Sequence, residues 1–378
     1  MKRNAFFVGI IGIFLFIQTL SAQTWDPQKR LTWTLGSSAS PAIATDSSNI
    51  IHLVYTEKLG SVPQIIYKRS TDGGITWTTK RLSWSGNWSY PPSITVDSGD
   101  NIHVVYADEV VSFAPDIFYK ISTDGGASWT TKRISWSPAA SYSPSISTDS
   151  NNNIYVVWIE FVSSNFEIFF KKSTDGGGTW TTKRLTWNSG GSWTPSIATD
   201  SSDYIHIVWA DETPGNREIF YKKSTNGGGN WITKRFTWNS GYSYEPSIAA
   251  DSNIVHVAWA DNTPGNDEIF TKKSTDSGTS WKIKRITWTA GDTSNPTINI
   301  DMTNNIHLAY IDDIPGNAEV YYKRSTNGGV NWTGKRLTFT TGHSYSPKMS
   351  IDLNYNIHTV WQNDTPGNYE IYYRKGIQ

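Results

Sequence analysis

The sequence predicts an all-β protein, a seven-bladed β-propeller of four-stranded blades. A Lys-Arg pair followed by an apolar residue recurs every 50 to 52 residues, with its arginine at Arg30, Arg81, Arg133, Arg184, Arg235, Arg285 and Arg336. A proline opens a second repeated segment, at Pro41, Pro92, Pro144, Pro195, Pro246, Pro296 and Pro347. Repeats of about 50 residues with four short strands each are typical of propeller blades.

One repeat, residues 195–238, illustrates the strands of a blade. Its predicted strands are 195–200 (PSIATD), 204–211 (YIHIVWAD), 218–224 (EIFYKKS) and 231–238 (WITKRFTW). Val, Ile, Tyr, Trp and Thr dominate these segments, and Gly, Asn, Asp and Pro separate them. The second segment is apolar on both faces, which predicts a strand covered from both sides. The charged residues in the fourth segment predict an outer edge strand.

The two ends of the repeat region predict how the ring closes. The region starts with a lone fourth strand at residues 25–33 and finishes with a third strand at 370–375. We expect these two strands to pair and complete the seventh blade. A linear solenoid would instead need polar caps at both ends, and the sequence shows none.

Residues 1–22 have the pattern of a secretory signal peptide. Two basic residues precede an apolar run at 5–16, and small residues stand just before Gln23. We therefore expect residues 23–378 to form the propeller, to be secreted or periplasmic, and to contain no membrane span. We also expect a monomer.

The composition excludes several classes of function. The chain has 33 Lys+Arg and 33 Asp+Glu, so no net basic field indicates a nucleic-acid partner. Because it has no cysteine, it has no disulfide, thiolate metal site or cysteine nucleophile. Aromatic residues make up 14% of the chain, too many for a disordered protein.

A turn motif, S-T-D-G-G-x-[ST]-W, stands between the third and fourth strands, with its best copies at 70–77, 122–129 and 173–180. We expect its Asp or Asn to accept backbone N–H bonds, its glycine to permit positive φ, and its tryptophan to pack the turn onto the blade. The Asp or Asn of the six copies is Asp72, Asp124, Asp175, Asn226, Asp276 or Asn327.

Six such copies at blade spacing resemble the Asp-boxes, or bacterial neuraminidase repeats, of sialidase-like propellers. The resemblance implies that these six residues are structural and lie on the face opposite the functional one. Sialidases of this family usually have six blades, whereas the repeats here number seven. Some lectins also use seven blades.

The resemblance implies sialidase activity, but the arginines do not support it. A sialidase holds its substrate carboxylate with three converging arginines, and the family's Arg-Ile-Pro motif is missing here. Only Arg217 lies in a predicted loop of the functional face. Near-identical blades also supply few of the dissimilar residues that a catalytic site requires. We assign no catalytic residue, and a sialidase-like glycoside hydrolase with a divergent site remains an alternative.

The loops from the fourth to the first strand and from the second to the third strand share the predicted functional face. Two positions before the repeated proline, five of seven blades carry an aromatic residue, and together with Trp88 these form a predicted collar: Tyr90, Tyr142, Trp193, Tyr244 and Tyr345. Flat aromatic rings suit sugar faces, although packing between blades is the alternative. The tryptophans of the turns, the second strands and the fourth-strand ends recur and are interpreted as structural. That leaves only Trp88 and Trp193 as free platforms.

Acidic residues follow the second strands and open the third strands, as Asp211 and Glu218 do. We interpret them as caps of loop N–H groups, with a Ca²⁺ site or acid–base catalysis as alternatives. The second-strand histidines are interpreted as hydrogen-bonded structural groups. We assign no metal ligand and expect no other cofactor.

The predicted function is that of a secreted, non-catalytic propeller that binds a glycan or another extracellular polymer. Binding is assigned to the collar residues and Arg217, through repeated multivalent contacts. An extracellular platform for protein interaction or adhesion is the other alternative beside the hydrolase.

Overall fold

The computed structural model of the protein describes residues 23–111 and 114–377. The predicted signal peptide lies outside this range. All regular elements are strands, arranged as seven antiparallel sheets. The seven-bladed propeller predicted from the sequence is confirmed. The described residues contain no helix of the length and apolarity needed to cross a membrane.

The strands are numbered along the chain. The first two are β1 (Thr24–Trp25) and β2 (Lys29–Arg30). Blade 1 contains β3 (Ser38–Thr45), β4 (Ile51–Leu59), β5 (Val62–Ser70) and β6 (Thr78–Arg81). Blade 2 contains β7 (Ser93–Val96), β8 (Ile102–Val111), β9 (Ala114–Ser122) and β10 (Thr130–Arg133). Blade 3 contains β11 (Ser141–Thr148), β12 (Ile154–Val162), β13 (Asn165–Ser173) and β14 (Thr181–Arg184).

Blade 4 contains β15 (Ser192–Thr199), β16 (Ile205–Asp211), β17 (Glu218–Ser224) and β18 (Ile232–Arg235). Blade 5 contains β19 (Ser243–Asp251), β20 (Ile254–Asp261), β21 (Glu268–Ser274) and β22 (Lys282–Arg285). Blade 6 contains β23 (Thr293–Ile300), β24 (Ile306–Asp312), β25 (Glu319–Ser325) and β26 (Thr333–Arg336). Blade 7 combines β27 (Ser344–Ile351), β28 (Ile357–Asn363) and β29 (Glu370–Ile377) with β1 and β2.

The two ends of the propeller close the ring as predicted. Thr24 is the Cα partner of Ile377, and Arg30 is the partner of Tyr372. The single strand expected at 25–33 is, however, two short strands. Pro27 lies between them, and a proline has no N–H with which to continue a ladder.

The first strands begin earlier than predicted because a β-bulge precedes the repeated proline. In blade 4 the register shifts between Trp193 and Ser196, and Thr194 has a φ of 48°. Five other blades have the same bulge, with a non-glycine residue at positive φ. Blade 2 carries Pro91 there, whose ring fixes a negative φ, and its β7 starts only at Ser93.

The hydrophobic core lies between neighbouring blades. Every residue of β16 is buried, as its two-sided apolar pattern predicted. One core cluster joins Val208 and Ile219 of blade 4 to Trp259 of blade 5. Another joins Ile371 of blade 7 to Leu53 of blade 1. The interface that closes the ring is therefore apolar like the others.

Candidate functional site

A cavity of about 640 Å³ opens where the first strands of all seven blades meet. Serine, threonine, asparagine and proline dominate its wall. One equivalent position, directly after the repeated proline, is occupied by Ala42, Ser93, Ser145, Ser196, Ser247, Thr297 and Lys348. The wall therefore offers mostly neutral hydroxyl and amide groups.

Two charged side chains, Glu245 and Lys348, break the symmetry of this wall. The Glu245 carboxylate accepts the Asn295 N–H at 2.8 Å. The Lys348 side chain is exposed to the cavity but crowded by its walls. This loss of solvation lowers the lysine pKa, and the charge of Glu245 opposes the shift.

A row of aromatic rings runs from blade 2 to blade 4 beside the cavity mouth, and we call it the aromatic arc. It consists of Tyr90, Tyr142, Phe166 and Trp193. The ring centroids are 5.0 Å apart for Tyr90 and Tyr142, 6.1 Å for Tyr142 and Phe166, and 4.9 Å for Phe166 and Trp193. All four side chains are half-buried. They pack on the blade cores, and part of each residue remains exposed to solvent.

Arg217 closes the blade 4 end of the arc. Its guanidinium carbon lies 5.5 Å from the Trp193 ring centroid, and its Nε donates to Glu212 at 2.9 Å. The Trp193 indole N–H is buried without a hydrogen-bond partner. Trp193 is therefore a packed, half-buried member of the arc, and its role as a ligand platform stays a prediction.

The other collar residues lie outside the arc. Tyr345 stacks on His343 at 5.7 Å. Burial and the neighbouring Asp267 carboxylate raise the pKa of Tyr244. Trp88 is about half exposed, with 51% of its surface accessible. The collar is thus one continuous arc and several separate aromatic groups.

Apart from Arg217, sequence reasoning missed the partners of these collar residues. The partners occupy the position just before the residue that opens the third strand: Phe166, Arg217, Asp267 and Tyr369. In blade 7, for example, the Tyr369 ring lies 6.3 Å from Tyr345. The signal was available in the sequence, because this position varies from blade to blade while its surroundings repeat.

The acids that open the third strands are locked by the repeated arginines. Glu218 is fully buried and pairs with Arg235 at 3.1 Å, and its carboxylate accepts the Asn239 N–H at 2.8 Å. In blade 1, Gln64 takes the place of the acid and accepts from Arg81 at 3.1 Å. The other pairs are Arg30–Glu370, Arg133–Asp116, Arg184–Glu167, Arg285–Glu268 and Arg336–Glu319.

The acids that end the second strands cap the adjoining loops. The Asp211 carboxylate accepts the Thr213 N–H at 2.9 Å and the indole N–H of Trp209 at 2.9 Å. Asp261 and Asp312 accept a loop N–H in the same way. The interpretation as caps agrees with these contacts. Residues 23–111 and 114–377 contain no group of three or more His, Asp and Glu side chains placed to hold a metal ion.

The second-strand histidines form buried hydrogen-bonded triads. His206 Nδ1 lies 2.7 Å from the Tyr221 hydroxyl, and its Nε2 lies 3.1 Å from Asp200. Blades 1, 2, 6 and 7 repeat the arrangement around His52, His103, His307 and His358. In blade 3, Tyr155 replaces the histidine and donates directly to Asp149.

The S-T-D-G-G turns lie at the opposite ends of the strands from the collar. Asp72 accepts the Thr76 N–H at 2.8 Å and the Ser70 hydroxyl at 2.8 Å. Hydrogen bonds, first from the Thr76 hydroxyl, lower its pKa to about 2. Trp77 then packs on Tyr373 of the preceding blade, with centroids 5.4 Å apart. Equivalent Asp and Asn contacts occur at Asp124, Asp175, Asn226, Asp276 and Asn327.

The tryptophans at the fourth-strand ends differ most from their predicted structural role. They are Trp33, Trp84, Trp136, Trp187, Trp238 and Trp288, and between 63% and 70% of each is exposed. The blades share these residues, but no blade buries them.

Comparisons with known proteins identify the fold. No protein-family model matches the sequence, and no curated protein is significantly similar to it. An ulvan lyase solved with a bound GlcA–Rha3S saccharide has a TM-score of 0.63 and 11% identity, covering 91% of this chain and 95% of that one. A Dyadobacter fermentans protein of unknown function has a TM-score of 0.58 and 13% identity, covering 94% and 99%. The Hadza microbial sialidase Hz136 has a TM-score of 0.55 and 13% identity, covering 86% and 73%.

Proposed function

We propose that the protein is a secreted, non-catalytic propeller that binds a glycan on the face that carries the aromatic arc. The observation that carries this proposal is the arc itself, Tyr90 to Trp193, beside a cavity walled by neutral hydroxyl and amide groups. Aromatic faces cover the apolar faces of sugar rings, and hydroxyl and amide groups exchange hydrogen bonds with sugar hydroxyls.

The state of the arginines supports binding over hydrolysis. The repeated arginine in each blade is held by the acid or amide of its own third strand, as Arg235 is by Glu218. The cavity wall includes no arginine among the described residues. A cluster of guanidinium groups around one substrate carboxylate, the requirement for a sialidase, therefore has no source at the ring centre.

The similar folds and the turns also support the proposal. The ulvan lyase and Hz136 are, by their names, proteins that act on glycans. We infer further that the six turns around Asp72 and its equivalents are Asp-boxes and that the chain is a divergent relative of sialidase-like propellers. The shared hydrogen bonds from the turn N–H groups to Asp or Asn support this relationship.

A glycan array with variants of the arc tests the proposed site. We expect the wild-type protein to bind and Tyr142→Ala, which removes a half-buried ring, to lose the signal while circular dichroism shows that it stays folded. The matched control is Tyr204→Ala, since Tyr204 is also half-buried but lies in the loop between first and second strands. No binding to any glycan would instead favour a protein partner.

A fluorogenic sialoside assay tests the hydrolase alternative. We expect no turnover above buffer. Turnover that Arg217→Ala or Glu218→Gln abolishes would overturn the non-catalytic assignment.

A further inference from the structure

The largest exposed aromatic groups of the protein form a ring that the proposed arc does not include. One such residue stands at the outer end of each fourth-to-first loop, just after the fourth strand. We call this set the outer aromatic ring: Trp33, Trp84, Trp136, Trp187, Trp238, Trp288 and Phe339, each 63% to 70% exposed. Exposed aromatic side chains thus recur at the same position of every blade.

Each ring residue stands beside an arginine of fixed orientation. The Arg235 guanidinium carbon is 5.6 Å from the Trp238 ring centroid, and the six tryptophan pairs all lie between 5.5 and 6.0 Å. Phe339 has Arg336 at 4.5 Å. The guanidinium is held through Nε and one terminal nitrogen, as Arg235 is by the Thr237 carbonyl and Glu218.

The second terminal nitrogen of these arginines is left for a ligand. Nη1 of Arg235 donates to no other described residue, and the repeated arginines of the other blades share this arrangement. About a quarter of each side chain is exposed, for example 29% for Arg235. Each blade therefore presents a flat ring whose centroid lies within 6.0 Å of the guanidinium carbon of an arginine.

Beside three of the ring residues lies a lysine of the next blade. Lys120, Lys171 and Lys272 have their Nζ atoms 5.9, 5.5 and 5.7 Å from the ring centroids of Trp84, Trp136 and Trp238. Burial lowers the pKa of Lys120 to about 8, so it remains mostly protonated at neutral pH. Within the described residues no carboxylate forms a salt bridge with any of these lysines. The buried Glu or Asp neutralises the arginine, and the Asp108 and Glu160 carboxylates offset part of the charge of Lys120 and Lys171.

We propose that the outer aromatic ring binds an acidic polysaccharide, with one uronate or sulfated sugar stacked on each exposed indole and its anionic group at the free Nη1 of the adjacent arginine. Neutral sugars would gain the stacking contact only. The planar N–H donors of arginine match carboxylate and sulfate oxygens. Several linked sites on one polymer chain raise the overall affinity above that of one site.

This inference goes beyond the proposed function, because it adds a second glycan-binding surface made of different residues. The arc lies beside the cavity, whereas the ring lies at the outer strands. Variants of the two surfaces therefore fail independently.

The test measures binding of polygalacturonate, a sulfated carrageenan and highly methyl-esterified pectin by calorimetry. We expect the wild-type protein to bind polygalacturonate or carrageenan and to bind the esterified polymer at least roughly tenfold more weakly. The ratio of the affinities for polygalacturonate and for the sulfated carrageenan shows whether the protein prefers carboxylate or sulfate. The combined variant Trp136→Ala, Trp187→Ala and Trp238→Ala should lose roughly tenfold or more in affinity.

A matched control replaces three exposed apolar residues away from the ring, with Ile75→Ala, Ile232→Ala and Val330→Ala. This control should keep the polyanion affinity. Wild-type affinity in the triple tryptophan variant, or binding of neither polyanion by the wild-type protein, would overturn the proposal. If Tyr142→Ala lost the polyanion affinity and the triple tryptophan variant kept it, the acidic glycan would bind at the arc. The proposed function would then stand, and the proposal for the outer aromatic ring would not.

Discussion

Equivalent residues make the same contacts in most blades, and the second-strand histidines show where one blade differs. His206 is satisfied by Tyr221 and Asp200. In blade 5, Thr271 replaces that tyrosine and the preceding loop is one residue shorter, so His256 Nε2 is buried with no partner. Burial, and then the charge of Lys273, lowers the His256 pKa to about 3. The sequence predicted hydrogen-bonded histidines, and this exception follows from a deletion and a substitution.

Replacing two equivalent histidines separates a satisfied group from an unsatisfied one. His358→Leu removes one hydrogen-bond partner each from the Tyr373 hydroxyl and the Asp352 carboxylate and should cost roughly 2 kcal/mol of unfolding free energy at pH 7. His256→Leu removes an unpaired polar group and should change stability by less than about 1 kcal/mol. Urea unfolding measures both. Equal losses would contradict the triad account.

The His256 pKa also predicts a pH dependence. The folded pKa lies below the unfolded value near 6.5, so the unfolded chain takes up the proton first. Stability is complete above pH 6.5 and falls as the pH drops towards 3. Between pH 7 and 4, His256→Leu should lose less stability than the wild-type protein, by on the order of 2 kcal/mol. Urea unfolding that shows the same loss of stability from pH 7 to pH 4 in both proteins would contradict the lowered pKa of His256.

At the scale of elements, strand identity was predictable and strand ends were not. Alternation and β-branched residues identified all four strands of each blade. The bulge before the repeated proline depends on a positive φ at residues such as Thr194, which composition does not reveal. The fourth strand β18 ends at Arg235, three residues earlier than predicted. After Arg235 the chain is no longer part of strand β18, and Trp238 is exposed. The sequence predicted a longer strand, and for that reason it predicted a structural role for Trp238.

The arginine lock is the element-scale feature most open to test. Arg235→Met leaves Glu218 as an uncompensated buried charge and should cost about 3 kcal/mol. Adding Glu218→Gln should recover more than half of that loss, because Gln64 occupies this position in blade 1. Chemical denaturation of the single and double variants provides the comparison. A double variant no more stable than Arg235→Met would show that the pair is not what stabilises the blade edge.

At the scale of the whole molecule, the repeat spacing predicted the blade number and the closure of the ring. The proposed location of binding was harder to predict, because it depends on which repeated residues stay exposed. Repeats of one sequence motif give repeated surfaces, so the ring favours multivalent binding. The blades differ from one another near the cavity mainly at positions such as those of Phe166 and Arg217.

Closure predicts a disulfide between the two ends of the propeller. Thr24 and Ile377 are antiparallel Cα partners, and the natural chain has no cysteine. The double variant Thr24→Cys with Ile377→Cys should oxidise to an intramolecular disulfide and gain a few kcal/mol in stability. Mass spectrometry and thermal unfolding detect these changes, with Thr24→Cys alone as the control. Two free thiols after oxidation would mean that the ends do not pair.

The number of short acidic oligosaccharides bound per chain tests the central claim most directly. We propose that each of the seven near-equivalent blades binds glycan and that none of them cleaves it. Calorimetric titration with trigalacturonate should give about seven equivalents of similar affinity, and the recovered saccharide should be intact. A single equivalent per chain, or cleaved saccharide, would contradict it.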